Sequence, residues 1–287
     1  MEEYVLKNYE KAKGVSDNVL PFAKTLVKKN VKILEIVEKI EDKIRKLDAK
    51  PAFPVNISIN ENAAHYTPDI DDTTTLKVGD LVKIDIGVQI NGYIWDRAFT
   101  VYIGDSHPLI EASEKALEKA LKLIKSGIKI FEISEVVEDT ITKFGFNPIH
   151  NLCGHGLEQY NQHASPTIPN GKNNIQDEIR AEQVIAMEVF ATNGPGIVKE
   201  SSPTLIYRYK QEKPVRLWEA RKILEAARTK FEGLPFAKRW LTDITTPVKI
   251  DFALKQLLEV GAIIGYPILK EVGNGLVAQT EETVIVK

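Results

Sequence analysis

Two acids in one short segment carry the first chemical suggestion. Asp85 and Asp96 both lie in Leu81 to Ile103, LVKIDIGVQINGYIWDRAFTVYI. The segment reads as two apolar strands joined by Asn91-Gly92, the strongest short-range signal for a two-residue type I′ hairpin. With those residues as the loop, Ile90 pairs with Tyr93 and Asp85 falls opposite Ala98. Asp96 then shares a face with Asp85 and sits diagonally across from it. Diagonal neighbours are about 7–8 Å apart at the backbone, so two leaning carboxylates can grip one cation. A solvated strand with two surface acids is the plainer reading, and it fits poorly. Val82, Ile84, Ile86, Val88, Ile94 and Phe99 leave little of the hairpin polar. An acid within such a run is costly unless paired or metal-bound.

An internal repeat supplies partners for these acids. Residues 25–44 align without gaps on residues 122–141, with ten of twenty positions identical at an offset of 97. Amphipathic helices rich in Lys and Glu can match by composition alone, but the series continues. At an offset of 98, His65 lands on His163. VGDLVKIDIG resembles RAEQVIAMEVF, placing Asp85 against Glu188, and GYIWDRAFTV resembles VAQTEETVIV, placing Asp96 against Glu281. Each half thus offers one histidine and two acids in the same order. A further cluster, Asn151-Leu-Cys-Gly-His155, ends in the same region as His163.

Four carboxylates and one imidazole, with two further histidines nearby, form an oxygen-rich, nitrogen-poor ligand set. That balance favours manganese, iron(II) or cobalt, with zinc also compatible, over thiolate-type zinc or copper sites. Four carboxylates carry more charge than one divalent ion offsets, so two ions about 3.5–4 Å apart are the natural count. The expected reaction is metal-assisted hydrolysis of an amide or ester. Spacing names no substrate. The single cysteine, Cys153, has no second thiol for a soft zinc site and reads as a buried structural thiol.

The elements that must position these groups are legible in outline. Residues 1–50 read as helical, with Ile33, Val37, Ile40, Ile44 and Leu47 at three- and four-residue steps, and Pro51 and Pro54 beyond them. A second helix carries Ile110, Leu117, Leu121 and Ile124 and ends near Gly127, and a third runs from about Phe131 to Phe144. Asp85 and Asp96 are 11 residues apart but Glu188 and Glu281 are 93 apart, so about 82 residues interrupt the second hairpin. Leu217 to Phe231 and Asp251 to Val260 suggest helices there, the latter with Asp251 as N-cap. The expected fold is α+β, a two-fold repeat with an inserted helical subdomain that walls one side of the cleft. The charge balance of 38 basic against 40 acidic residues gives no basic excess for nucleic acid. No run is long and apolar enough for a membrane span, no signal peptide opens the chain, and a lone cysteine fits a reducing compartment. A cytoplasmic protein is expected.

At these residues the sequence resembles a known family. Asn62-Ala-Ala-His65-Tyr-Thr-Pro, Lys83-Ile-Asp85-Ile-Gly, the Asp96 strand, Asn151-Leu-Cys-Gly-His155, Met187-Glu188-Val-Phe and Ala278-Gln-Thr-Glu281 resemble a type 2 methionine aminopeptidase. The resemblance runs over nearly the whole chain. It implies a pita-bread fold whose catalytic part spans residues 1–205 and 268–287, with 206–267 as the inserted type 2 subdomain. Leu234-Pro-Phe-Ala-Lys-Arg-Trp-Leu241 also looks like that subclass, and the absence of a long charged N-terminal extension resembles the short form. The resemblance further implies Asp85, Asp96, His155, Glu188 and Glu281 as ligands of two ions, with Asp96 and Glu281 bridging. Glu188 would pass a proton to the leaving amine, and His65 and His163 would contact substrate and stabilise the tetrahedral intermediate. Phe53, Phe190 and Tyr266 look like walls of the methionine pocket, although core aromatics account for the first two equally well.

Three residues depart from the family pattern. Glu282 stands where histidine is common, an extra acid expected close to the ions. Gly156 replaces a larger side chain, and Gln162 an aliphatic one. The implied substrates are N-terminal methionines of peptides and nascent chains, with transient ribosome association and a monomeric state. A prolidase-like Xaa-Pro peptidase and a non-catalytic ribosome- or protein-binding relative are the alternatives. The first would carry a sizeable domain ahead of His65, where only 64 residues stand, and the second would have lost ligands.

Overall fold

The computed structural model describes residues 1–287. Helices α1 (Glu3–Leu26) and α2 (Ile33–Lys46) open the chain. The single helical stretch expected over residues 1–50 is broken between them, where Asn30 takes a left-handed φ of 66° and turns the chain. Past the break, Ile33, Ile36, Val37, Ile40 and Ile44 of α2 are all buried, each stabilising the fold by roughly 1.5–3 kcal/mol. Three short strands follow, β1 (Lys50–Pro51), β2 (Asn56–Ile59) and β3 (Asn62–Ala64). The hairpin is β4 (Leu81–Ile90) and β5 (Tyr93–Tyr102). Its turn residues Asn91 and Gly92 have φ of 53° and 84°, as a type I′ turn requires. Ile90 pairs with Tyr93 and Asp85 with Ala98, in the register the turn predicts.

The second half repeats the plan with α3 (Pro108–Leu123), α4 (Ile130–Lys143), β6 (Asn147–Pro148), β7 (Cys153–Glu158), β8 (Asn161–Pro169) and β9 (Val184–Thr192). The starts of α4, β6 and β7 fall 97 residues after those of α2, β1 and β2, the offset read from the sequence. Both helices are anchored alike: Ile33 N donates to Thr74 O, and Ile130 N to Asp177 O. The interruption holds β10 (Val198–Tyr209), α5 (Trp218–Thr229), β11 (Phe236–Ala237), a 3-10 turn (Lys238–Leu241), α6 (Pro247–Glu259) and β12 (Ile263–Glu271). Strand β13 (Val277–Ile285) then completes the second hairpin against β9. Asp251 is not an N-cap. Pro247 occupies the first helical turn of α6 after Thr246, a position its fixed φ suits, and Asp251 lies inside the helix, paired with Lys238.

The main sheet runs β1-β4-β5-β13-β9-β7-β8, with β2 added on β4 and β6 on β9. Strand β13 pairs with both β5 and β9 and joins the halves. Helices α1 and α2 share one core with β4 and β5, and α3 and α4 share another with β9 and β13. A smaller sheet, β11-β10-β12-β3, takes its last strand from the first half. Its β10–β12 ladder is paired from Val198–Glu271 to Tyr209–Ile263, so positions 206 and 267 fall inside continuous strands. Between them α5, α6 and the 3-10 turn have their own apolar core, including Ile223, Leu224, Phe236, Ile250 and Leu257.

Gly156 now has a physical reason. A Cβ there would sit 2.1 Å from the Ser165 carbonyl oxygen, at the irregular step where β7 meets β8. We therefore expect Gly156→Ala to lower unfolding stability by about 1–3 kcal/mol, the usual cost of overpacking. Urea denaturation checks this; an unchanged midpoint would mean that β8 gives way freely.

Candidate active site

One row of the main sheet crosses four strands. Asp85 on β4 faces Ala98 on β5, Ala98 faces Glu281 on β13, and Glu281 faces Glu188 on β9. Asp96 lies two residues from Ala98. His155 pairs with Ala186, two residues from Glu188. Side chains alternate along a strand, so all five candidate ligands project from the same face. The repeat is not exact here: Asp85 and Asp96 are diagonal across their hairpin, whereas Glu188 and Glu281 are directly opposite. Between them Ala98 contributes only a methyl group and leaves the middle of the row open.

The carboxylates are crowded and poorly solvated. Desolvation, followed by the charge of Glu188, raises Asp85 to about 7. Desolvation and then the Asp85 charge hold Asp96 well above the usual carboxylate range. Desolvation and the Asp96 charge do the same to Glu281. Oδ1 of Asp85, Oδ1 of Asp96 and Oε1 of Glu281 are buried without a hydrogen-bond partner. Ligand atoms of Asp96, His155 and Glu281 all lie within 4.8 Å of one another. Anionic oxygens so placed suit a hard divalent cation. His155 Nε2 lies 2.8 Å from Glu188 Oε1. Desolvation alone would lower this ring, but the Glu188 hydrogen bond and charge outweigh it and raise it.

The remaining expected residues divide. Phe53, His65, His163 and Tyr266 line the same cleft as Asp85, Asp96, His155 and Glu188. The His163 ring is 4.7 Å from His155, edge to face, and His65 is 5.4 Å from Tyr266. Burial holds His65 below the usual histidine value. Although its ring keeps solvent access, desolvation and then the charges of His155 and His65 lower His163 as well. Gly87 gives Phe53 its place, since a Cβ there would lie 2.3 Å from a ring carbon. Phe190 is not a wall of the cleft. It is packed in a small core with Ala63, Ala64, Ile149, Val198 and Val277, although Gln279, its partner across β13, lines the cleft.

Glu282 also departs from expectation. Strand alternation sends it to the opposite face from Glu281, where Arg97 Nη2 pairs with it at 2.7 Å and Trp95 Nε1 donates to it at 3.2 Å. It faces a protein cation, not the cleft. Two polar cleft residues carry no expectation from the sequence. Gln279 Nε2 donates to Glu281 Oε2 at 3.4 Å and pulls Asp85 downward against desolvation. Its signal was available, two residues before Glu281 in the same motif. Asn56 pairs with Asp85 at the end of the row, and no sequence pattern marked it. Gln162 lines the cleft beside His163.

The raised carboxylates make the chelated protein pH-sensitive. Folded-state values above the unfolded ones mean that folding retains protons, so this contribution is complete below about pH 4. Asp85's share of it is lost as pH rises through about 7. In excess chelator the urea midpoint should fall over that window, and Glu281→Gln should flatten the fall. The same slope in the variant would clear the acids as its cause.

Comparison with known proteins shows the family. The profile of metallopeptidase family M24 matches residues 7–287. A methionine aminopeptidase of Thermococcus onnurineus is 47% identical over 287 residues, covering 99% of this chain and 96% of its own. Among solved structures, one of a thermophilic Arx1 superposes with a TM-score of 0.87 at 19% identity, covering 99% of this chain and 88% of that one. A prolidase from Pyrococcus furiosus reaches 0.58 at 23% identity, covering 66% of this chain and 56% of that one. The structures share the fold; the profile extends over both halves and all of the converging acids. The chain belongs to metallopeptidase family M24.

Proposed function

We propose that this protein hydrolyses the peptide bond after an N-terminal methionine, using divalent metal held by Asp85, Asp96, His155, Glu188 and Glu281. The observation that carries the reading is the buried row of acids with unpartnered oxygens, in a chain 47% identical to a methionine aminopeptidase. Four carboxylates argue for two ions, drawn from cobalt, manganese, iron(II) and zinc. Such ions supply Lewis acidity to water and to the scissile carbonyl.

The chain's own groups do the rest. Glu188 is half-buried beside His155 and lines the cleft, placed to take a proton from the attacking water and return it to the leaving amine. His65 Nδ1 lies 3.3 Å from the Pro267 carbonyl oxygen, which can only accept. In the neutral ring Nε2 is therefore an acceptor, suited to an N–H of the substrate. His163, also kept neutral, is left to hydrogen-bond the developing oxyanion. Phe53 and Tyr266 flank the methionine side chain. Residues 206–267 form an inserted subdomain closing one side of the cleft, to which Tyr266 and Pro235 contribute. We place the enzyme in the cytoplasm as a monomer meeting nascent chains at the ribosome; no helix is long and apolar enough to cross a membrane.

The test is incubation of metal-reconstituted protein with Met-Ala-Ser and with an Ala-Pro peptide. Cleavage of only the first is expected; cleavage of only the second makes it an Xaa-Pro peptidase, and cleavage of neither removes the catalytic reading. Asp96→Ala should lose bound metal and turnover together, and full turnover by it would sink the ligand assignment. His65→Ala should depress kcat far more than metal content, as removal of a substrate-contacting group does. Equal loss of both would make His65 a ligand.

A further inference from the structure

Three consecutive side chains of the 3-10 turn reach from the inserted segment to the first half of the chain. Lys238 Nζ lies 3.1 Å from Asp69 Oδ2. Arg239 Nη1 donates to Thr67 Oγ1 at 2.7 Å, and its Nη2 pairs with Glu41. Trp240 Nε1 donates to Glu41 Oε2 at 2.8 Å. Two more hydrogen bonds close a ring: Thr67 Oγ1 donates to Val55 O at 2.9 Å, and Val55 N donates to Glu41 Oε1 at 3.2 Å. Arg239, Thr67, Val55 and Glu41 are all buried. The ring thus fastens together two cleft segments, one holding Phe53 and Asn56, the other His65.

His65 needs such fastening. Its φ is 62°, a left-handed conformation uncommon for a residue with a side chain and maintained only where the surroundings fix it. On its N-terminal side Ala64 is held by pairing with Leu269 on β12. Just beyond it Ile57 N donates to Tyr66 O at 2.7 Å, and Thr67 enters the ring. A buried ion pair generally adds little net stability, so its contribution here is geometric. Resting on the peptidase reading above, we infer that Arg239 is a positioning residue for the reaction, holding the His65 ring against the substrate through Thr67 and Val55.

Arg239→Lys keeps the charge but cannot fork to Thr67 and Glu41 together. We expect kcat for Met-Ala-Ser to fall about tenfold or more, in line with the cost of misplacing a reacting group. Metal content and KM should stay near wild type. In a His65→Ala background the same substitution should have little further effect, because the group it acts through is gone. Thr67→Val, which removes one hydroxyl, should lower kcat with the same dependence on His65. Undiminished kcat in a folded variant, or losses independent of His65→Ala, overturns the positioning role; unfolding of both variants assigns the ring to stability and also overturns it. Wild-type failure to cleave Met-Ala-Ser sinks the peptidase reading and this role with it. Wild-type cleavage with an indifferent Arg239 sinks this role alone.

Discussion

Burial of like charge is the constraint on which this structure depends. Asp85, Asp96 and Glu281 are each removed from water and placed beside other acids, and desolvation is the larger cost for every one of them. Flexible loops would let such groups swing apart. Here each is fixed by the ladder of a central strand, and those strands are fixed in turn by helices packed on the other face. The apolar cores offset the strain of the acids. The near-continuous apolar runs of β4 and β9 are therefore part of the site's construction.

The two-fold repeat explains how one sheet gathers acids from positions almost 200 residues apart, and its imperfections explain the cleft. Both halves place a helix and two strands at matching intervals and then a hairpin, which comes six residues later in the second half. Only the second hairpin is split open. The segment that splits it is structurally shared: β3 of the first half is the edge strand of the sheet formed by β10 and β12. His65, which follows β3, is thereby tied to Pro267 and Tyr266 across the interruption. The inserted segment and the first half together make one wall.

What the sequence revealed and what it concealed follow from distance along the chain. The Asn91-Gly92 turn is local, so the pairing of Asp85 with Ala98 could be read directly, and the repeat extended the same reading to Glu188 and Glu281. Alternation alone would have placed Glu282 on the far face, beside Arg97. Phe190 illustrates the opposite limit. Its parity puts it on the face of Glu188, yet whether that position is cleft or core depends on what packs over it, here Ala64 and Val198. The start of α6 was missed because two start signals competed, and Pro247 lies one turn earlier than Asp251. The partners of Arg239 lie 172 and 198 residues away, beyond any local pattern.

Charge accounting on the two faces of the sheet gives the final reason to read the row as a cation site. On the helix-covered face, charge is settled within the protein: Arg97 pairs with Glu282 and also with Asp17 at 2.8 Å. On the cleft face Lys83 shares the parity of Asp85 but donates to the Asn60 carbonyl oxygen at 2.7 Å, and burial pushes it down to about 7. His155 is hydrogen-bonded to Glu188. No protein cation pairs with Asp85, Asp96 or Glu281. A fold that neutralises Glu282 with an arginine on one face and leaves Glu281 without a counter-charge on the other has separated an ion-paired acid from an unpaired one by one residue of strand. Neutralisation on the cleft side has to come from protons or from metal, and membership of a metallopeptidase family points to metal.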